Sequence, residues 1–209
     1  MNNRDSSKLA DTQRSHFGFT EVAPDEKQSL VNGVFARVAQ RYDLMNDLMS
    51  GGLHRLWKDE LINWLAPPRG DTRYRLLDVA GGTGDIAARF LEAAGEGGEC
   101  VVCDISPEML AVGRERHADR FAGRLRFEEG NAEALPFGDG TFDAYTIAFG
   151  IRNVTNIEAA LTEAYRVLRP GGRLIALEFS SVDTTILDTH YDAYSIKAIP
   201  ALGSVVAGD

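Results

Sequence analysis

The chain has 209 residues, enough for one domain with a full hydrophobic core, and its 44% hydrophobic and 25% charged content is ordinary for a soluble globular protein. A formal net charge of -9 disfavours a nucleic-acid substrate, which calls for a basic face. No apolar run approaches the roughly 18 residues of a membrane span, and the polar opening Met1-Asn2-Asn3-Arg4-Asp5 is no secretory signal, so a cytoplasmic protein is expected.

In chain order, a polar tail is expected to about residue 20. Val31, Val34, Phe35, Val38, Ala39, Tyr42 and Met45 then recur at helical spacing and predict an amphipathic helix. After Gly51-Gly52 a second helix should carry Leu53, Leu56, Trp57, Leu61 and Trp64 and end before Pro67-Pro68. From there strands and helices alternate. Strands end near Asp78 and at Asp104 and follow at 125–128, 144–149 and 173–179, with helices between them at 86–94, 107–119 and 157–168. This alternation predicts an α/β fold with a doubly wound, mostly parallel sheet and right-handed crossovers. A last helix is expected near 187–199. The expected organisation is a tail, 1–20, and one domain, 21–209, made of N-terminal helices (21–68), a ligand-binding α/β core (73–180) and a C-terminal part (181–209).

The first strand, Tyr74-Arg75-Leu76-Leu77-Asp78-Val79, feeds into Ala80-Gly81-Gly82-Thr83-Gly84-Asp85, and the second stops on Asp104. A strand that ends in a glycine loop and opens a helix lets backbone N–H groups at positions such as Gly82 meet an anionic group. An acid closing the next strand can accept from both ribose hydroxyls. Gly82-Thr83-Gly84-Asp85-Ile86-Ala87 also satisfies the loose dinucleotide pattern, so a nicotinamide-dependent oxidoreductase stays open as an alternative. Asp78 shifts the balance. A carboxylate ahead of the glycines suits a ligand with an ammonium group, and S-adenosylmethionine offers one, with a carboxylate for the loop N–H groups and the Thr83 hydroxyl.

Both cysteines lie in one C-x-x-C, Cys100 and Cys103, a spacing that invites a redox or zinc reading. On a strand, side chains three apart point to opposite faces and neither bridge nor share a metal, so core packing is expected and no metal site is assigned. After the third strand, Asn131-Ala132 would let backbone reach a nucleobase edge, with a plain surface turn as the ordinary alternative. After the fourth strand, Gly150-Ile151-Arg152-Asn153 sets a cation and an amide beside the donor space. The turn Arg169-Pro170-Gly171-Gly172 should stop the last helix and lead into the fifth strand.

The run Asp78-Val79-Ala80-Gly81-Gly82-Thr83-Gly84, the loop Asn131-Ala132-Glu133-Ala134-Leu135-Pro136-Phe137 and the turn Arg169-Pro170-Gly171-Gly172 resemble class I S-adenosylmethionine methyltransferases. Two longer stretches, Tyr42-Asp43-Leu44-Met45-Asn46-Asp47-Leu48-Met49-Ser50-Gly51-Gly52-Leu53-His54-Arg55-Leu56-Trp57 and Arg166 through Ser180, resemble the signatures of the ubiquinone/menaquinone biosynthesis C-methyltransferases. The resemblance implies a Rossmann-like fold and methyl transfer from S-adenosylmethionine to a ring carbon of a polyprenylated benzoquinol or demethylmenaquinol. It implies donor contacts at Thr83, Asp104 and the Asn131-Ala132 pair. Ala80 departs from the commoner glycine at the first position of the loop. Members of that family continue for several tens of residues past the position of Asp209, and the class I fold finishes with a sixth and seventh strand. The resemblance therefore implies a chain that stops before the last strands, which keeps a non-catalytic donor-binding or assembly role open as a second alternative.

Methylating a ring carbon requires no metal; it requires alignment, and removal of the proton from a neighbouring phenol. Arg152 is the candidate for stabilising the phenolate, with Glu178 as the nearest acid for a structural ion pair, and His54 and Tyr42 are candidates for orienting or deprotonating the ring. His54 and Tyr42 at helical positions also suit plain packing. A long isoprenoid tail does not fit inside one small domain, so peripheral contact with a bilayer through the helices around 31–49 is expected, as is participation in a quinone-biosynthesis assembly.

Overall fold

The computed structural model describes Ser50, residues 52–117 and 119–178, and the backbone of 15–17 and 20–22. Strands β1 (Ser15–Phe17) and β2 (Thr20–Val22) pair antiparallel, with Phe17 opposite Thr20. This pair falls where the sequence suggested a polar tail. The helices expected over 31–45 and 187–199 lie outside the described residues.

Helix α1 (Leu53–Leu65) stands where the second helix was expected but turns a different face inward. It buries His54, Lys58, Leu61, Ile62 and Leu65, whereas Leu53, Leu56 and Trp64 are exposed by 50%, 63% and 72%. Apolar residues occur all around this helix, so spacing alone does not choose a side. Tertiary contacts do. Leu61, Ile62 and Leu65 join the cluster of Leu76, Phe90 and Leu91, and Lys58 reaches an acid on the next helix. Ala66 closes α1 in the left-handed region at φ 46°, its N–H donating to Ile62 O, directly before Pro67.

Strand β3 (Tyr74–Val79) is the centre of a five-stranded sheet. It is followed by α2 (Asp85–Ala93), β4 (Gly98–Asp104), α3 (Pro107–His117) and β5 (Leu125–Glu129). The chain then crosses to the other side of β3 for β6 (Phe142–Ala148), a short 3₁₀ turn at Ile151–Asn153, α4 (Ile157–Val167) and β7 (Leu168–Leu177). All four pairings are parallel in the order β5-β4-β3-β6-β7. The winding direction reverses at β3, and a crevice at such a switch point, outside the carboxyl ends of the strands, is where open α/β sheets bind ligands.

Burial on both faces explains why the central strands read as continuous apolar runs. On one face Leu76, Cys100, Val102 and Ala144 pack against α1 and α2; on the other Leu77, Val79, Val101, Cys103 and Tyr145 pack with Ala164 and Val167 of α4. Cys100 and Cys103 thus point into opposite layers, as alternation on a strand requires. The Arg169-Pro170-Gly171-Gly172 turn falls inside β7 rather than ahead of it. Phe142 pairs with Leu168 and Ala144 with Arg173, so these four residues loop out opposite Asp143, with Gly171 at φ 81°. Asn156 caps α4 by accepting from Ala159 N at 3.1 Å.

Candidate functional site

A cleft lies across the carboxyl ends of β3, β4 and β6. Asp78 and Asp104, at the ends of β3 and β4, and Gly82, Thr83, Asn131 and Ala132, from the loops after β3 and β5, all line it.

Its floor is built around Asp78, which is 1% exposed. Oδ1 accepts from the Thr146 hydroxyl at 2.8 Å, and Oδ2 is buried with no hydrogen-bond partner. Burial pushes the carboxyl up to about 7, against the opposing effects of the Thr146 bond and the Lys58 charge. A Cβ at Gly81 would lie 2.6 Å from Asp78 Oδ2 and 2.9 Å from Val102 Cγ1, so only glycine lets the loop cross here. An orphaned acceptor on the cleft floor fits the ammonium group of S-adenosylmethionine.

The glycine loop continues through Gly82 at φ 55° and Gly84 at φ 82° into α2. Gly82 N donates to Asp104 Oδ2 at 2.8 Å, and Ser106 N donates to Asp104 Oδ1 at 2.9 Å. The acid at the end of β4 therefore ties the loop after β3 to the loop after β4. Burial raises the Asp104 carboxyl above the ordinary range despite these backbone donors. A carboxylate has about four lone-pair sites, so two engaged N–H groups still leave acceptor capacity for a sugar. Thr83 is 3% exposed, with its hydroxyl 3.4 Å from the Arg116 guanidinium.

Asn131 Oδ1 accepts from Glu133 N at 2.9 Å, closing its own turn, so the ordinary turn function and a place on the cleft coexist at this residue. Glu133 Oε1 in turn accepts from the N–H groups of Thr155 and Asn156, both at 3.0 Å. That single oxygen joins the loop after β5 to the loop after β6.

Among the cleft residues that the sequence pattern missed are Lys58 and Phe149. Lys58 of α1 is 5% exposed and its Nζ lies 2.8 Å from Asp85 Oδ2 at the start of α2. Burial would raise the Asp85 carboxyl, but Lys58 and Arg89 together hold it below its ordinary value. A lysine in phase with Leu61, Ile62 and Leu65 was the available signal. Phe149 is a non-glycine residue with a left-handed backbone, φ 57°, immediately after β6.

The candidates for acid–base work are placed differently. Arg152 forms an ion pair with Glu178, the partner the sequence suggested, on the rim beside Asn153, which lines the cleft. His54 is 4% exposed and shares a 2.8 Å hydrogen bond through Nδ1 with Ser50 Oγ, away from the cleft lining. Tyr42 lies outside the described residues. No helix among the described residues is long and apolar enough to cross a membrane.

Residues 21–209 match the ubiE/COQ5 methyltransferase family. The Methylobacterium nodulans protein named ubiquinone/menaquinone biosynthesis C-methyltransferase UbiE is 65% identical over 201 residues, covering 96% of this chain and 79% of that protein. Among solved structures, the YcgJ protein of Bacillus subtilis superposes with a TM-score of 0.56 at 25% identity, covering 68% of this chain and 58% of that one. A SAM-dependent methyltransferase from Aquifex aeolicus shares the fold, with a TM-score of 0.52 at 20% identity over 61% of this chain and 67% of that one.

Proposed function

We propose, from the premise that this chain belongs to the ubiE/COQ5 methyltransferase family, that it moves the methyl group of S-adenosylmethionine to a ring carbon of a polyprenylated benzoquinol or demethylmenaquinol. The observation that carries the reading is the unpartnered Oδ2 of Asp78, buried on a cleft that Thr83, Asp104, Asn131 and Ala132 also line. A nicotinamide ligand gives that carboxylate no ammonium partner.

The donor supplies an electrophilic sulfonium methyl, and the rest of the task falls to the chain's own groups. Asp78 accepts from the ammonium, while the Thr83 hydroxyl and Gly82 belong to the loop that faces the methionine carboxylate. Asp104 takes the ribose hydroxyls, and the backbone at Asn131-Ala132 faces the base. Holding two reactants in line is worth roughly 7–11 kcal/mol of barrier, which makes positioning the principal contribution. Arg152, from the rim after β6, stabilises negative charge on the acceptor's phenolic oxygen, and Glu178 holds its guanidinium. The burial of His54 against Ser50 favours a packing role for it. The isoprenoid tail of such an acceptor brings the protein to a membrane surface, which flotation with quinol-loaded liposomes tests.

The decisive experiment incubates the protein with labelled S-adenosylmethionine and each quinol type, followed by mass spectrometry of the products. A ring-methylated quinol is the expected result. Donor binding without methylation of either acceptor would overturn the reading.

A further inference from the structure

The strand order gives the cleft two ends. Asp104 and Asn131-Ala132 sit at β4 and just past β5, and Asp78 at β3, so the donor placement proposed above lies on the side of the sheet reached first by the chain. The lining from β6 onward, Ala148, Phe149, Gly150, Asn153 and Val154, contains none of the residues assigned above to the donor. Phe149 dominates it by size.

Its backbone is held where bulky residues rarely go. φ is 57°, Phe149 N donates to Leu177 O at 2.7 Å, and a Cβ on the next residue, Gly150, would lie 2.5 Å from Ala80 Cβ. A left-handed phenylalanine costs of order 1–3 kcal/mol and persists where the surroundings over-determine it, most often at functional sites. Trp57 of α1 stands against this ring, centroids 6.4 Å apart and planes tilted by 58°. Lys58, the next residue on α1, reaches the same cleft.

We propose that Phe149, backed by Trp57, is the face on which the acceptor's aromatic ring lies beside the donor methyl, making both residues positioning groups for a planar, electron-rich ring. This rests on the methyl-transfer reading above. An aromatic platform orients such a ring through offset or edge contacts while leaving its reacting carbon open. The fixed backbone of Phe149 sets the platform before the ring arrives. A tetrahedral or purely aliphatic acceptor gains nothing from this arrangement.

The chain has two tryptophans, so Trp64→Phe leaves Trp57 as the single reporter and Trp57→Phe leaves Trp64. Titration with a short-chain prenylated benzoquinone is expected to quench the Trp57 reporter saturably and the Trp64 reporter only linearly. Phe149→Leu and Trp57→Leu should each raise the acceptor KM about tenfold, with the donor Kd by calorimetry within about twofold of the unsubstituted protein and Trp57→Phe recovering most of the loss. Linear quenching of both reporters overturns the platform. So does an unchanged acceptor KM, or a donor Kd that weakens in step with it, which marks plain packing of α1 on the sheet. Absence of methyl transfer by the unsubstituted protein overturns the functional reading itself.

Discussion

Asp78→Asn isolates the energetic cost of keeping a charge on the cleft floor. The carboxyl is buried and pushed up to about 7 from an ordinary 3.8. A folded-state value raised above the unfolded one means the native protein holds its proton more tightly. That contribution to stability is full below about pH 4 and is lost as pH rises through 7. The shift of about three units corresponds to about 4 kcal/mol, of which about 3 kcal/mol falls between pH 5 and 8. Asparagine keeps the shape and removes the titration. Its amide nitrogen adds a pH-independent penalty of about 1–3 kcal/mol for an unpaired buried donor. Urea unfolding of both proteins from pH 5 to 8 should therefore show the stability difference moving in favour of the variant by about 3 kcal/mol across that range, whatever its starting offset. Other titrating groups cancel in the difference. A difference flat to within about 0.5 kcal/mol would refute the assignment of a protonated, desolvated acid to this position. Donor affinity supplies a second readout: it should fall by up to about tenfold per unit below pH 7 in the unsubstituted protein and stay level in Asp78→Asn.

Gly81→Ala drives a methyl to 2.6 Å from Asp78 Oδ2; calorimetry should record donor Kd at least tenfold weaker, with a stability loss of about 1–3 kcal/mol. Lys58→Met leaves Asp85, whose side chain is 31% exposed, with Arg89 alone, and should cost about 1–3 kcal/mol in urea unfolding. Adding Asp85→Asn should then recover part of that loss, and purely additive losses would dismiss the pair as a clasp. Arg152→Ala is expected to lower kcat about 10–100-fold with donor Kd unchanged, and full turnover would remove the residue from the chemistry. Cys100 and Cys103 are buried, and burial pushes the Cys103 thiol up to about 12 and raises Cys100 well above its ordinary value. Neither should react with a thiol reagent at pH 8 until the protein unfolds.

That Asp78, Thr83, Asp104 and Asn131 would meet in one cleft was legible because each of these signals is local. Asp78 and the glycines are contiguous, Asp104 terminates an apolar run, and parallel winding brings strand ends together without further instruction. Element positions followed for the same reason, with ends displaced by one or two residues, except that β7 begins at Leu168, five residues before the expected 173. The inward face of α1 was not legible, because Leu53, Leu56 and Trp64 are as apolar as Leu61, Ile62 and Leu65. The choice between them was made by Asp85, 27 residues from Lys58. Phe149 was hidden for a different reason. Its left-handed backbone carries no glycine to announce it, and its partner Trp57 is 92 residues away in the chain. The loop-out within β7 shows the limit of turn chemistry, which locates a bend but not whether strand pairing has already begun.

Glu133 has a dynamic consequence. Because one carboxylate oxygen holds the amides of Thr155 and Asn156, the loop after β5 and the segment that leads into α4 are expected to open to solvent as one cooperative unit. Hydrogen exchange at those two amides should slow together when donor binds at Asn131-Ala132, on the other side of Glu133. Donor binding at one end of the cleft would then stiffen the other end, a coupling that unchanged exchange at both amides would rule out.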